Sequence, residues 1–268
     1  ETWEAEPTLA PHEFRDGFRN RCQRFVLPEG PTTLRYDAVV EASDEPDPVV
    51  PDAEQLPVEA LPDDVLVYTL ASRYCLSDAL SNVAWRNFGS TAPGWARVQA
   101  VCDWINLNIR YGLRSTPLTT AVDVYTAGGG VCRDFAHLGV TFCRALNIPA
   151  RYVFGYISDI DLPLPTPHPP MDFHAWFEVY LGGRWFAFDA RFNTPVRGRV
   201  PVGRGRDAVD VAMMTTYGAA RFQRLTVWSD PVESETDVAQ GPQQHPENAD
   251  ESLEAADSEA LVLSHGNG

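Results

Sequence analysis

The residues of this chain best placed to do chemistry are a thiol, a histidine and a carboxylate. Cys132 lies in Gly128-Gly129-Gly130-Val131-Cys132-Arg133-Asp134-Phe135-Ala136-His137-Leu138, a triple-glycine loop that runs into a helical pattern with the thiol in its first turn. The unpaired N–H groups and macrodipole of a helix start stabilise a thiolate and can hold a developing oxyanion. His174 and Asp189 follow in Phe173-His174-Ala175-Trp176-Phe177-Glu178-Val179-Tyr180-Leu181-Gly182-Gly183-Arg184-Trp185-Phe186-Ala187-Phe188-Asp189. A cysteine nucleophile served by a histidine, itself oriented by an acid, is the chemistry this set would perform.

The second segment reads as a hairpin. Ala175, Phe177, Val179 and Leu181 alternate with His174, Trp176, Glu178 and Tyr180. Gly182-Gly183 fits a two-residue primed turn. With Leu181 opposite Arg184, Tyr180 opposes Trp185 and Trp176 opposes Asp189. Asp189 is then the diagonal neighbour of His174 on the same face, about 7–8 Å away between Cα atoms. A slip of one residue would place it on the other face.

These groups need a scaffold, and the flanking patterns supply one. Phe135, Leu138, Phe142 and Leu146 recur at helical spacing, Asn147 can close the helix, and Ala150 to Ile157 is an apolar run that reads as a strand. Upstream, a helix starting at the cap Ser77 and ending before Gly89 would turn Leu80, Val83 and Ala84 inward. Trp95, Val98, Cys102, Ile105 and Ile109 are spaced 3, 4, 3, 4, the mark of an amphipathic helix. Thr120 can cap a short helix ending at Gly128, delivering the chain into the glycine loop. A free cysteine is usually a small core residue, but the glycines before Cys132 and the His/Asp hairpin after it favour a nucleophile.

Three blocks carry a resemblance: Gly130-Val131-Cys132-Arg133-Asp134-Phe135-Ala136-His137, Cys143-Arg144-Ala145-Leu146-Asn147-Ile148-Pro149-Ala150-Arg151-Tyr152-Val153, and His174-Ala175-Trp176 with Trp185 and Phe188-Asp189. In order and spacing the chain resembles the bacterial transglutaminase-like proteins of the papain-like cysteine peptidase superfamily. Shorter matches lie at Ser77-Asp78 and from Arg206-Asp207-Ala208-Val209-Asp210 to Trp228. The resemblance implies an α+β fold whose nucleophile sits at a helix N-terminus packed on an antiparallel sheet. It implies Cys132 as nucleophile, His174 as general base and then acid, and Asp189 as the group that orients His174. That family contains peptidases, amide-forming enzymes and members of unknown substrate. Hydrolysis of a peptide or protein amide is the expectation, water being the default acceptor. A transglutaminase and a non-catalytic binding module are the alternatives.

The Cys132 N–H should supply one oxyanion donor. Gly130, Val131 and Trp176 are grouped with the oxyanion and substrate-binding positions, and Trp104, Asn108 and Tyr125 are candidates for a second donor. Trp176 and Trp185 could instead shield the His174 to Asp189 bond or simply pack. Asp134 should stabilise the helix start. His137, about 140° around the helix from Cys132, reads as a core or interface histidine.

Composition removes several other functions. All 21 basic residues are arginine, so a phosphate loop that needs lysine is excluded. No Cys-x-x-Cys or His-x-x-x-His pair supports a metal site, and no cofactor is expected. The five cysteines, 22, 75, 102, 132 and 143, have no framework spacing. Cys132 and Cys143 stand about 16 Å apart along one helix, too far for a bridge. This points to a reducing, cytoplasmic setting. No apolar run approaches a membrane span and no leader is evident. A net charge of −16 makes nucleic acid an improbable partner.

Residues 229–268 hold ten acidic groups and no arginine, an acidic tail expected to be disordered. Residues 1–68 read as a small β domain, with strands over Arg21 to Leu27 and Thr32 to Glu41 and a loop or extended edge from Ser43 to Asp64. Residues 69–228 form the expected core. Within it, the proline-rich Ser158 to Asp172 cannot be regular structure and reads either as a substrate-facing lip at the rim of the cleft or as a passive crossover loop, with an exposed His168.

Overall fold

The computed structural model describes residues 1–113, 115–157, 173–227 and 229. The proline-rich segment with His168, Trp228 and all of the acidic tail except Ser229 lie outside them. The chain opens with four short strands, β1 (Thr2–Glu6), β2 (His12–Arg15), β3 (Arg21–Arg24) and β4 (Thr33–Asp37). They form two nested antiparallel pairs, β1 with β4 and β2 with β3. The hairpin between β2 and β3 docks on the rest of the chain through Asn20, whose side chain exchanges two hydrogen bonds with the Arg204 backbone at 2.8 and 2.9 Å.

The prolines and acids after β4 do not make a sheet edge. From Asp47 onward the segment is built into the core surface, which divides the chain differently from a β domain running to residue 68. Trp95 N–H donates to Ala53 O at 3.0 Å, Gly182 N–H to Glu54 O at 2.9 Å, and Gln55 Nε2 to Leu146 O at 2.9 Å. Leu61 and Val65, around the single-turn helix α1 (Asp63–Leu66), bury against Tyr180.

The core is built around one helix. Helix α2 (Ser77–Phe88), helix α3 (Trp95–Asn108), helix α4 (Ala121–Ala127) and helix α5 (Cys132–Ala145) follow the apolar periodicity, with β5 (Arg110–Tyr111) and β6 (Gly129–Gly130) as a two-residue parallel pair between them. Every residue of α5 from Asp134 to Ala145 is buried. Its C-terminus closes through Asn147 in the left-handed region (φ 61°), with Ile148 N–H on Cys143 O at 2.9 Å. Strands β7 (Ala150–Tyr156), β8 (His174–Leu181), β9 (Arg184–Phe188) and β10 (Val200–Gly205) form an antiparallel sheet in the order β10-β7-β8-β9.

Helix and sheet meet at van der Waals limits. A Cβ on Gly139 of α5 would lie 2.4 Å from Cε1 of Phe177 on β8. Gly139→Ala is expected to lower stability by about 1–3 kcal/mol through overpacking, more than the gain of about 1 kcal/mol in helix propensity. A urea midpoint equal to that of the parent protein would refute this. Arg144, also buried, joins four segments without a carboxylate. Its guanidinium donates to Ala150 O (3.0 and 2.8 Å), Leu70 O (2.9 Å), Ser72 Oγ (3.1 Å) and Arg206 O (2.6 Å).

Candidate active site

Thr120 caps α4 with its hydroxyl, Asp123 returns the bond to the Thr120 N–H, and Gly128 ends the helix at φ 70°. The chain then pairs Gly129-Gly130 with Arg110-Tyr111 and enters α5 at Cys132. Asp134 is completely buried and turns back to accept the Val131 N–H at 2.9 Å. This is half of a capping box, because Val131 has no side-chain acceptor to offer in return. It also explains Gly130: a Cβ there would lie 2.7 Å from both Cβ and Oδ2 of Asp134. The Asp134 N–H is bonded to Val131 O at 2.9 Å. Among the first-turn amides, those of Cys132 and Arg133 have no intrahelical acceptor. The Cys132 side chain itself is partly exposed.

The hairpin has the register that its alternation demands. Phe177 opposes Phe188, Tyr180 opposes Trp185 and Leu181 opposes Arg184, with Gly182 and Gly183 both at positive φ in the turn. Asp189 follows β9 directly, and His174 opens β8. His174 Nε2 and Asp189 Oδ2 are 2.6 Å apart and both residues are buried. The other carboxylate oxygen, Oδ1, accepts the backbone N–H groups of Arg191 (3.0 Å) and Phe192 (3.4 Å). With Nε2 committed to Asp189, the Nδ1 atom of His174 is the one free to serve the thiol.

Burial opposes a charge on His174. The Asp189 carboxylate and its hydrogen bond outweigh that, with further help from the hydrogen bond and charge of the Cys132 side chain, and His174 is raised to about 9. Burial would also raise Asp189, but the charge and hydrogen bond of His174, the Arg199 guanidinium and the Phe192 amide hold it down at about 2. The pair is therefore an imidazolium and a carboxylate at neutral pH. The other core thiols stay neutral, because burial pushes Cys75 up to about 12 and raises Cys102 and Cys143 well above the usual thiol range.

Several expected site residues lie elsewhere. Trp104 and Tyr125 stack on each other and pack edge-on against Phe142, nearly three helical turns along α5 from Cys132, so they do not serve as oxyanion donors there. Asn108, at the end of α3, turns its side-chain amide back onto Trp104 O at 2.8 Å. The Val131 amide is already used by Asp134. Trp176 is fully buried among Val153, Ile157 and Val196, which removes it from substrate contact. Trp185 packs on Tyr68 and Tyr180 at the turn end of the hairpin. His137 is a core residue stacked between Tyr74 and Tyr152, with Nε2 accepting the Ala208 N–H at 3.1 Å.

Sequence reasoning also missed Arg199, which lies near Asp189, and Asp47, which anchors it. Arg199 places Nη1 3.7 Å from Asp189 Oδ2 and is ion-paired to Asp47. No local pattern announces either residue, since they are 152 positions apart in sequence.

A family model for the transglutaminase-like superfamily matches residues 85–190. An uncharacterized protein of Mycobacterium tuberculosis is 31% identical over 215 residues, covering 74% of this chain and 68% of that protein, and one of Mycobacterium bovis matches to the same extent. Among solved structures, a "Putative Cysteine Protease" from Cytophaga hutchinsonii is similar with a TM-score of 0.62 and 33% identity, covering 79% of this chain and 71% of its own.

Proposed function

We propose, from the premise that this chain belongs to the transglutaminase-like superfamily, that it is a thiol-dependent amide hydrolase working through Cys132, His174 and Asp189. The observation that carries this reading is the buried 2.6 Å contact of His174 Nε2 with Asp189, which leaves Nδ1 for a thiol at a helix start.

An imidazolium beside a thiol stabilises the thiolate. The Cys132 thiolate attacks the carbonyl carbon of a peptide amide, and the oxyanion formed is held by first-turn amides of α5. His174 gives its Nδ1 proton to the leaving nitrogen as the C–N bond breaks, and a thioester remains. Water then attacks the thioester carbon and yields a proton to Nδ1. The C–S bond breaks, the acid leaves, and the thiolate and imidazolium are restored. Asp189 keeps the ring in one orientation throughout.

Iodoacetamide labelling followed by mass spectrometry tests the activated pair. Cys132 is expected to label near pH 7 at least about ten times faster than in His174→Ala, the gap closing as pH rises toward the range of an ordinary thiol. Cys75, Cys102 and Cys143 serve as silent internal controls. Equal rates at Cys132 in both proteins would sink the proposal.

A further inference from the structure

We propose that Arg199, anchored by Asp47, is a positioning residue of this site that acts through Asp189: its guanidinium is held as a cation near, but not bonded to, the Asp189 oxygen that faces His174, so the segment before the first core helix helps to set the charge of the pair. This inference rests on the reading of Cys132, His174 and Asp189 as the working groups.

The geometry is a chain of charges, buried at His174 and Asp189 and half-buried at Arg199 and Asp47. Arg199 Nε donates to Asp47 Oδ2 at 2.8 Å and Oδ1 at 3.0 Å, while Nη1 lies 3.7 Å from Asp189 Oδ2, the same atom that meets His174 Nε2. The Arg199 side chain is only 9% exposed, and its guanidinium carbon sits 4.9 Å from the centroid of the Trp176 ring. Neither Nη1 nor Nη2 finds a hydrogen-bond acceptor among the described residues. A buried guanidinium left this way is costly as a structural device. It is intelligible as a cation kept within Coulomb range of Asp189 without capturing its lone pairs from His174. This also gives the indole of Trp176 its role, as the surface on which Arg199 rests.

Asp47 is itself fixed. Its backbone N–H donates to Val196 O at 3.0 Å and its Oδ2 accepts the Val196 N–H at 3.1 Å, while Gly198 N–H reaches Ser43 O at 3.0 Å. Residues 43–47 thus hold the strap that carries Arg199 into β10.

Four charged groups alternate in sign: Asp47, Arg199, Asp189 and His174. Asp189 is faced by His174, Arg199 and the Cys102 thiol, and His174 by Asp189 and Cys132. Removing the Arg199 cation should make it easier to keep a proton on His174. Neutralising Asp47 leaves Arg199 uncompensated and should make it harder. The two substitutions therefore move the same titration in opposite directions, which a general loosening of the structure would not do.

The test is a nitrogen-15 NMR titration of the His174 ring in the full chain. Arg199→Met is expected to raise the midpoint, and Asp47→Asn to lower it, each by several tenths to about one unit. Arg199→Lys should restore a value near that of the parent. No movement, or movement in one common direction, overturns the proposal. If Arg199→Met does not fold, the isosteric Asp47→Asn decides alone: a lower midpoint supports the proposal and an unchanged or higher one overturns it. The titration needs no substrate, so absence of hydrolysis would count against the proposed function and leave this result standing.

Discussion

If the proposed hydrolysis holds, the parent protein is expected to turn over a quenched-fluorescent peptide library, Cys132→Ala to abolish that turnover, and His174→Ala to reduce kcat/KM by about a thousandfold or more. The expectation follows from the division of labour in the site. In the proposed mechanism the thiol forms the only covalent bond to the substrate, so its removal leaves no residual path. Without His174 the leaving nitrogen has no proton donor and the thiol has no imidazolium partner. The pH profile carries a second signature. His174 is raised to about 9, so activity should persist to that pH and fall above it, as the ring loses the proton the leaving amine needs. Cleavage by Cys132→Ala at the parental rate would remove the thiol from the mechanism.

Asp189→Ala is expected to be the most destabilising change in the site, costing about 3–5 kcal/mol near pH 6. The substitution leaves buried His174 and Arg199 without the carboxylate between them, and it orphans the Arg191 and Phe192 amides that Oδ1 accepts. His174 can relieve part of the cost by giving up its proton.

The pH dependence of this loss has a definite sign. His174 is raised in the folded state from the ordinary 6.5 to about 9, so its contribution is full below 6.5 and disappears as pH rises through 9. Asp189 is depressed from 3.8 to about 2, so its contribution is present above 3.8 and is lost as pH falls through 2. Urea unfolding of parent and variant should therefore differ most between pH 3.8 and 6.5, with the difference narrowing on both sides. A difference that stays constant from pH 5 to about 9.5 would show that the ion pair is not its source.

Where the determining forces act between near neighbours in the chain, the sequence by itself settled the outcome. Apolar spacing of three and four placed α2, α3 and α5, Thr120 and Gly128 delimited α4, and the glycine run led Cys132 to the start of α5. Two glycines in a primed turn, with strict alternation on either side, fixed the hairpin register. His174 and Asp189 were bound to share a face before any tertiary contact was considered. The N-terminal strands β1 and β2 escaped notice, as did β10, because a short strand takes its identity from a partner far along the chain. Trp104 and Tyr125 illustrate the same limit: their types suggested donors near the thiol, and packing against Phe142 placed them toward the far end of α5.

The tertiary structure alone decided what surrounds Asp189. A stretch rich in proline and aspartate has no periodicity that could foretell Asp47 meeting Arg199, or Arg199 resting on Trp176 beside the carboxylate. Residues that come to face one another can be read when one turn or one helix start positions them. The charges that tune them come from segments brought together only when burial of the whole core repays the entropy of closing long loops.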